Sequence, residues 1–229
     1  MSRRDGRDYI LLIWKDPNSR RNFVVGDLSI NGNYEFKYDY EIDEAIEHGF
    51  ELIIPFDDVN KVYNRDILFP AFSSRLPDKK RRGIDKILNK YGLNEYDEYR
   101  LLKRSGAKLP IDNLEFIDPI LKNDQEFARD FYIQGVRHYH ECEDMNSDIN
   151  FPFNVGDLVQ LEMELENQYD ENVIMIKYSQ DILGYVPRYY SEVLTRHLKN
   201  GATYQCKITD INQNQKCENC IKVELRVSN

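Results

Sequence analysis

The sequence predicts an α+β protein made of two domains. Apolar and polar residues alternate near both ends of the chain, as in half-buried antiparallel strands, whereas residues 65–106 repeat apolar side chains at helical spacing. A chain of 229 residues is long enough to bury two separate cores. The dipeptide Asp118-Pro119 prevents a continuous helix at that point. We therefore expect one domain over residues 8–112, a linker over 113–127 and a second domain over 128–229.

The pattern of the first domain predicts a small antiparallel sheet accompanied by helices. Strands are expected over residues 9–14, 22–30, 34–38 and 51–54. Asn31-Gly32 is a strong signal for a hairpin turn between the second and third of these strands. Helical spacing predicts helices over residues 42–48, within 65–91 and from 96 to 106, with glycines at their ends.

The pattern of the second domain predicts mostly strands. Residues 159–165 and 173–176 are expected to form a hairpin with a polar tip, and residues 203–211 and 220–227 a closing hairpin. Further strands are expected over 131–135 and up to Tyr185. A helix is expected from Pro187 to Gly201, because proline is favoured at the start of a helix and glycine after its end. The acidic residues 141–150 are expected to be a loop.

The polar tip of the first of these hairpins is the best candidate for a binding site. It carries Asn167, Tyr169 and Asp170, and Tyr185 and Arg188 follow shortly after it. Tyrosine rings beside a cation offer stacking faces for bases next to a charge for phosphate. Asn and Asp also serve in turns through local backbone hydrogen bonds, and that simpler explanation stays open for Asn167 and Asp170.

Three motifs in this half of the chain resemble the HIRAN domain in their order and spacing. They are Gly135-Val-Arg-His-Tyr139, Asn167-Gln-Tyr-Asp-Glu-Asn172 and Gly184-Tyr-Val-Pro-Arg188, and the likeness covers about residues 128–212. The resemblance implies a modified OB-type β-barrel with one helix. It also implies binding to the free 3′ end of single-stranded DNA, as in the characterised members of that family.

The resemblance implies roles for Arg137, His138 and Tyr139. Arg137 corresponds to the phosphate-binding cation of the family, and Tyr139 to a ring that contacts the DNA end. His138 replaces an aromatic residue that is often tyrosine, so it offers a smaller stacking surface and becomes cationic below about pH 6.5. The residues alone also allow a surface strand end whose tyrosine packs over the core.

Asp170 has the most specific implied role. A carboxylate beside a DNA backbone is unfavourable unless it accepts a hydrogen bond, and a terminal 3′ hydroxyl is a donor that an internal phosphodiester lacks. The family pattern gives this role to the matching aspartate, although Gln168 stands here where the family has proline. Tyr185 and Arg188 stand where the family places a ring or imidazole and a basic residue near the terminal nucleotides.

The first half of the chain resembles the N-terminal subdomain of HipA-type kinases over about residues 9–106. The likeness consists of Val25-Gly-Asp-Leu28, Phe36-Lys-Tyr38, Phe69-Pro-Ala-Phe72, Leu76-Pro-Asp78 and Ile87-Leu-Asn-Lys-Tyr91. In that family the ATP site and catalytic aspartates follow this subdomain, whereas here the HIRAN-like segment follows it. No kinase residue can be carried over, and no phosphate-binding glycine-rich loop with its lysine is evident. We therefore expect no enzyme activity, no catalytic residues and no cofactor.

The charge of the chain limits the kind of nucleic acid that it can bind. The net charge is −9, and from residue 128 onward 10 Lys and Arg stand against 16 Asp and Glu, a difference of −6. This argues against broad binding to duplex DNA, which depends on phosphate neutralisation. A strand must therefore be held locally, through stacking and a few cations.

The only dense run of cations, residues 79–82, is either a solvated helix start or a contact for phosphate or a partner.

The chain has neither an apolar run that could span a bilayer nor a recognisable export signal, so we expect a cytoplasmic protein without membrane contact. Its four cysteines are then expected to be reduced thiols. Cys217 and Cys220 have metal-ligand spacing, but no second closely spaced pair is present, and a polar hairpin loop is the better explanation of the pair. We expect no metal site.

These observations together predict a two-domain protein whose HIRAN-like domain recognises single-stranded DNA ends. Its HipA-N-like domain is then an interaction or regulatory module. Two alternatives stay open: a subunit of a toxin–antitoxin or phage-defence system that docks a separate HipA-type kinase or other effector, and an accessory protein that directs a nuclease to DNA.

Overall fold

The computed structural model describes residues 8–121, 123–140, 151–164, 171–212 and 219–228. The chain forms two compact units that divide between Pro119 and Ile120. Among the described residues, no helix is both long enough and apolar enough to cross a membrane.

An antiparallel sheet forms the framework of the first unit. Its strands are β1 (Asp8–Lys15), β2 (Asn22–Asn31), β3 (Asn33–Tyr38), β4 (Tyr63–Arg65) and β5 (Leu114–Ile117), in the spatial order β4-β3-β2-β1-β5. Gly32 lies between β2 and β3 with φ +80°, a conformation that glycine adopts without strain. The hairpin predicted at Asn31-Gly32 is confirmed.

Four helices accompany this sheet among the described residues. They are α1 (Ile42–Glu47), α2 (Pro70–Ser73), α3 (Ile84–Lys90) and α4 (Glu98–Ser105). The carboxylate of Asp97 caps α4 by accepting a hydrogen bond of 2.9 Å from the backbone N–H of Arg100, and Gly106 ends the helix at φ +69°. The predicted helices over 42–48 and 96–106 are confirmed, whereas the helix expected around 67–72 is a single turn that starts at Pro70.

The core of the first unit is rich in phenylalanine. The ring centroid of Phe36 lies 4.4 Å from that of Phe56 and 5.1 Å from that of Phe72, and Phe72 lies 5.0 Å from Phe116 of β5. All four side chains are almost completely buried. Burial of several large aromatic side chains supplies most of the stabilising free energy of a small core.

The sequence-based boundaries need two corrections in this unit. The predicted linker over 113–127 begins too early, because Leu114–Ile117 pairs with β1 and places Phe116 in the core. The predicted strand over 51–54 is absent, and Ile54 is 94% exposed. The backbone N–H of Ile53 instead donates to the Tyr38 hydroxyl at 3.0 Å, and that hydroxyl donates to the carbonyl of Phe56 at 2.8 Å.

The second unit is a six-stranded antiparallel sheet with one α-helix among the described residues. Its elements are β6 (Glu126–Tyr132), a short 3-10 helix (Val136–His138), β7 (Leu158–Met163), β8 (Ile174–Tyr178), β9 (Asp181–Tyr185), α5 (Arg188–Lys199), β10 (Thr203–Ile211) and β11 (Ile221–Ser228). The strand order is β6-β11-β10-β7-β8-β9. The two predicted hairpins, β7 with β8 and β10 with β11, are confirmed.

The two outer strands of this order meet at one point. Gln134 lies just beyond β6 and forms an isolated antiparallel bridge with Tyr185 at the end of β9. The backbone N–H of each residue donates to the carbonyl of the other, at 2.9 and 2.8 Å. The sheet is therefore joined into a ring at this bridge, as expected of a barrel-like fold.

Candidate nucleic-acid interface

Five of the eight predicted site residues lie in the described part of the chain. Arg137, His138 and Tyr139 follow β6, whereas Tyr185 ends β9 and Arg188 begins α5. Asn167, Tyr169 and Asp170 lie outside the described residues. The structure brings two of the five, Tyr139 and Tyr185, into direct contact.

Two glycines, Gly135 and Gly184, allow the turn after β6 to approach the end of β9 closely. A Cβ atom at Gly184 would lie 2.3 Å from the carbonyl oxygen of Gln134, so only glycine fits beside the bridge. Gly135 has φ +73°, and a Cβ atom there would lie 3.3 Å from the ring of Tyr185. The Tyr185 ring therefore lies close to the turn that carries Arg137 and Tyr139.

Tyr139 and Tyr185 form an aromatic pair. Their ring centroids are 5.9 Å apart with an interplanar angle of 57°, and their hydroxyl groups are hydrogen-bonded to each other. Tyr139 is 39% exposed and Tyr185 is half-buried. The pair thus presents aromatic surface to solvent from two distant parts of the sequence, which is the kind of surface on which bases stack.

Tyr185 stays neutral at physiological pH. Burial raises the pKa of Tyr185 to about 12, and the hydrogen bond with Tyr139 and the negative charge of Glu164 act in the same direction. A neutral hydroxyl can donate to a phosphate oxygen, whereas a phenolate would repel it.

Arg137 and His138 lie in the short 3-10 helix, which is anchored by the buried side chain of Val136. The Nε–H of Arg137 donates to Nε2 of His138, with 3.4 Å between the two nitrogen atoms. Among the described residues Arg137 has no carboxylate partner. Its charge is therefore not neutralised by a salt bridge with any of them, which suits a role in binding phosphate.

Arg188 is exposed at the start of α5, directly after Pro187, which has the extended backbone of a helix cap. Its backbone carbonyl accepts a hydrogen bond of 3.0 Å from the Ser191 hydroxyl. The backbone N–H of Val186 donates to the carbonyl of Ile174 at 3.0 Å, which fixes the chain between Tyr185 and Arg188 against β8.

The ends of the segment that carries the other three predicted residues are close to Tyr185. The backbone N–H of Glu164 donates to the carbonyl of Val173 at 3.0 Å, so the chain leaves and re-enters the sheet at one place. The Glu164 carboxylate is also one of the charges that raise the Tyr185 pKa. Glu164 and Val173, the described residues on either side of this part of the chain, are thus joined to each other near Tyr185.

Sequence reasoning missed the residues that support this site. His140, next to Tyr139, packs its ring edge-on against Phe151 at 5.4 Å, and Phe151 stacks on Phe153 at 4.9 Å. Burial lowers the pKa of His140, so the neutral ring is favoured in this apolar setting. The Phe-Pro-Phe sequence at 151–153 was the available signal, since paired aromatic residues next to a loop indicate a packing anchor.

No metal site is formed by the described residues, in which no three His, Cys, Asp or Glu side chains are grouped as ligands. Burial raises the pKa of Cys206 to about 12 and that of Cys220 to about 11. Both thiols are therefore protonated, and both are buried. Cys142 and Cys217 lie outside the described residues.

The two halves of the chain match two family models. Residues 128–228 match the HIRAN domain, and residues 21–110 match the HipA N-terminal domain. Both resemblances predicted from the sequence are confirmed by these matches. No curated protein is significantly similar to the chain.

Two crystal structures share a similar arrangement over less than half of the chain. A protein from Lactobacillus plantarum is 22% identical, with 45% of this chain and 99% of that chain covered and a TM-score of 0.35. The HIRAN domain of human HLTF is 15% identical, with 44% of this chain and 74% of that chain covered and a TM-score of 0.34.

Proposed function

We propose that this chain, with its HIRAN and HipA N-terminal domains, binds single-stranded DNA through the HIRAN domain and prefers a free 3′ end. The observation that carries the proposal is the Tyr139–Tyr185 pair, whose rings are held together beside the turn that carries Arg137. Stacking on such rings is tolerant of base sequence, and a duplex end does not offer unstacked bases.

The cations near this pair complete the proposal. Arg137 lies two positions before Tyr139, and Arg188 lies three positions after Tyr185. We propose that these two arginines bind the phosphates next to the terminal nucleotide. His138 offers a further ring on which a base can stack. Because only a few cations are available in an acidic domain, the affinity should be modest and dependent on salt concentration.

The preference for a 3′ end is assigned to the 165–170 segment. Its Asp170 is the expected acceptor for the terminal hydroxyl, with Tyr169 and Asn167 beside the same nucleotide. The backbone hydrogen bond between Glu164 and Val173, and the effect of the Glu164 charge on Tyr185, support a single site made from all three motifs.

A fluorescence anisotropy titration tests the proposal with a single strand and a blunt duplex of equal length. We expect tighter binding to the single strand, and the double variant Tyr139→Ala/Tyr185→Ala should remove the difference. Equal or stronger binding of the duplex by the wild-type protein would rule the proposal out.

We propose further that the chain acts by binding alone and has no catalytic activity. The HipA N-terminal match ends at residue 110, and the HIRAN match occupies residues 128–228. Purified protein should therefore neither hydrolyse ATP nor phosphorylate itself. ATP turnover that co-purifies with the protein through repeated chromatography would contradict this.

A second candidate function concerns the first unit, which we propose as a docking module for a separately encoded HipA-type kinase or other effector. The observation that favours it is the match of residues 21–110 to the HipA N-terminal domain, and Ile54 within that range is an apolar side chain that is 94% exposed. Co-expression with a HipA-type catalytic domain, followed by affinity capture, tests this candidate. Loss of capture in Ile54→Asp, with capture retained in Lys61→Gln, would support it, and no capture by the wild-type chain would exclude it.

A further inference from the structure

Residues 79–90 of the first unit carry a concentrated positive charge that the proposed end site does not use. The segment contains six cations and one carboxylate, a charge of +5 in a chain whose net charge is −9. We call its cations the basic stripe: Lys79, Lys80, Arg81, Arg82, Lys86 and Lys90. All six are exposed.

The helix places part of the stripe along one face. Lys86 and Lys90 lie four residues apart in α3, which brings their side chains to the same side of the helix, whereas the other four cations precede the helix. The other side of α3 is turned to the core, with Leu88 buried and Ile84 packed against the core. The cations are therefore separated from the apolar face.

The backbone of the stripe is ordered by its own hydrogen bonds. The carboxylate of Asp78 accepts from the backbone N–H of Lys80 at 2.6 Å, and its carbonyl accepts from the N–H of Arg81 at 2.9 Å. The hydroxyl of Tyr96 donates to the carbonyl of Pro77 at 2.9 Å. A ligand that binds here does not have to order the backbone first, which lowers the entropic cost of binding.

The charges of the stripe are not neutralised within the described part of the molecule. None of the six side chains forms a salt bridge there, although Asp78 and Asp85 are neighbours in sequence. Elsewhere in the same unit, Arg75 pairs with Asp112 at 2.5 Å and Lys103 with Asp8 at 2.7 Å. The Nζ of Lys90 lies 5.5 Å from the centroid of the Tyr91 ring, a contact that does not neutralise its charge. Six cations in twelve residues repel one another, and a polyanion relieves that repulsion.

We infer that the basic stripe binds the phosphate backbone of nucleic acid, without regard to base sequence, in addition to the end site proposed in the HIRAN domain. The choice of nucleic acid over an acidic protein rests on the proposed function. It also rests on composition, because lysine is depleted from protein–protein interfaces, whereas lysine and arginine supply phosphate contacts. Four of the six cations are lysines.

Salt dependence of binding tests this inference. The titrations use oligo-dT strands of about 40 and about 6 nucleotides, so that the short strand fills only a single site. The variant Lys79→Gln/Lys80→Gln/Arg81→Gln/Arg82→Gln should reduce the slope of log Kd against log salt for the long strand by about 2 to 3, at about 0.7 per phosphate contact. Binding of the short strand should be unchanged.

A matched control removes the same charge elsewhere in the first unit. Lys61→Gln/Arg100→Gln/Arg104→Gln/Lys108→Gln changes four exposed cations that lie outside the stripe and should leave the slope as in the wild type. An unchanged slope in the stripe variant, or an equal reduction in the control, would overturn the inference. Displacement of the long strand by polyglutamate as efficiently as by oligo-dT of equal charge would also overturn it.

Failure of the end site and failure of the stripe give different results. Suppose that Tyr139→Ala binds both strands like the wild type, while the stripe variant loses affinity for the long strand. The inference that the basic stripe binds nucleic acid then holds, and the proposed end site is wrong. Suppose instead that Tyr139→Ala binds both strands more weakly, while the stripe variant binds like the wild type. The proposed end site then holds, and the inference about the basic stripe is wrong.

Discussion

The hydroxyl groups of Tyr139 and Tyr185 are hydrogen-bonded to each other, although the two residues are 46 positions apart in the chain. The same Tyr185 also pairs through its backbone with Gln134. The Tyr185 side chain is therefore positioned both at its hydroxyl group and at its backbone.

The first prediction concerns the stacking surface of Tyr139. Tyr139→Ala should weaken binding of single-stranded DNA by about tenfold or more, because stacking of a base on an aromatic ring contributes about 1–3 kcal/mol. Tyr139→Phe keeps the ring and loses only the hydroxyl, so it should bind nearly as well as the wild type. Equal affinities of Tyr139→Ala and the wild-type protein in an anisotropy titration would place the DNA elsewhere.

The second prediction concerns the end of the strand. A 3′ phosphate removes the donor that we assign to Asp170 and brings a negative charge against that carboxylate. A hydrogen bond to a charged group contributes about 1.5–3 kcal/mol, so a 3′-phosphorylated strand should bind about tenfold more weakly or worse.

Two variants serve as controls for the role of Asp170. Asp170→Ala should bind hydroxyl-ended and phosphate-ended strands about equally, because it removes both the acceptor and the repulsion. Arg137→Ala should bind both strands more weakly, and its binding should depend less on salt concentration. If the wild-type protein binds the two strands alike, Asp170 is a turn residue and the end preference is wrong.

The third prediction concerns the close contact at Gly184. Gly184→Ala would place a Cβ atom 2.3 Å from the carbonyl oxygen of Gln134 and 2.7 Å from Cγ2 of Ile133, so the bridge must open. Gly201→Ala is the matched control, because Gly201 also has positive φ, at +87°, but a Cβ atom there meets nothing within 4 Å.

Gly201→Ala should lower the free energy of unfolding by about 1–2 kcal/mol, the cost of a left-handed conformation. Gly184→Ala should lower it further and should also weaken DNA binding, since the bridge positions Tyr185. Urea denaturation and anisotropy titrations measure both effects. Equal destabilisation by the two variants would show that the contact at Gly184 is relieved without loss of the bridge.

The fourth prediction concerns the pH dependence of stability at Tyr38. Burial raises the pKa of Tyr38 from 10.0 to about 12. The neutral hydroxyl therefore stabilises the folded state fully below pH 10, and this contribution is lost as the pH rises from 10 through about 12. Tyr38→Phe should lower the free energy of unfolding below pH 10 by about 1–3 kcal/mol, because it leaves two backbone groups without their partner.

The difference in unfolding free energy between the wild type and Tyr38→Phe should shrink above pH 10. Tyr40→Phe is the control, since Tyr40 is 66% exposed and its replacement should cost little at any pH. A constant difference between the wild type and Tyr38→Phe across this range would contradict the assigned pKa shift.

The fifth prediction concerns the connection between the units. Strand β5 ends at Ile117 and β6 begins at Glu126, so limited proteolysis should cut within residues 118–125, with Lys122 as the site for trypsin. Two folded fragments should result, each with the circular dichroism of its own sheet. Cleavage only elsewhere, or fragments that unfold on separation, would show that the two units depend on each other.

Local sequence patterns predicted most of the fold. The β2–β3 hairpin follows from Asn31-Gly32, and α4 follows from Asp97 at its start and Gly106 at its end, because caps and turns act over a few residues. Strand β5 was missed because it is four residues long and its partner β1 lies about a hundred residues earlier. Pairing over such a separation leaves no local signal.

The site was predicted less completely than the fold. The motifs at 135–139 and 184–188 contain the two tyrosines that are in contact, and the glycine at 184 is typical of a close backbone approach. Nothing in the sequence around Tyr139 indicates that its hydroxyl meets Tyr185, since that contact depends on how the two ends of the sheet join. The anchoring of His140 on Phe151 and Phe153 also depends on tertiary packing alone.

The strand lengths of the first sheet have a consequence for the behaviour of the protein at high concentration. Strands β1 and β2, with 8 and 10 residues, lie inside the sheet, whereas the outer strands β4 and β5 have 3 and 4 residues. A long open edge offers unpaired N–H and C=O groups to another chain and promotes edge-to-edge aggregation. Because the outer strands are short, each open edge of this sheet offers few backbone groups. A second copy of the chain therefore finds little edge with which to pair.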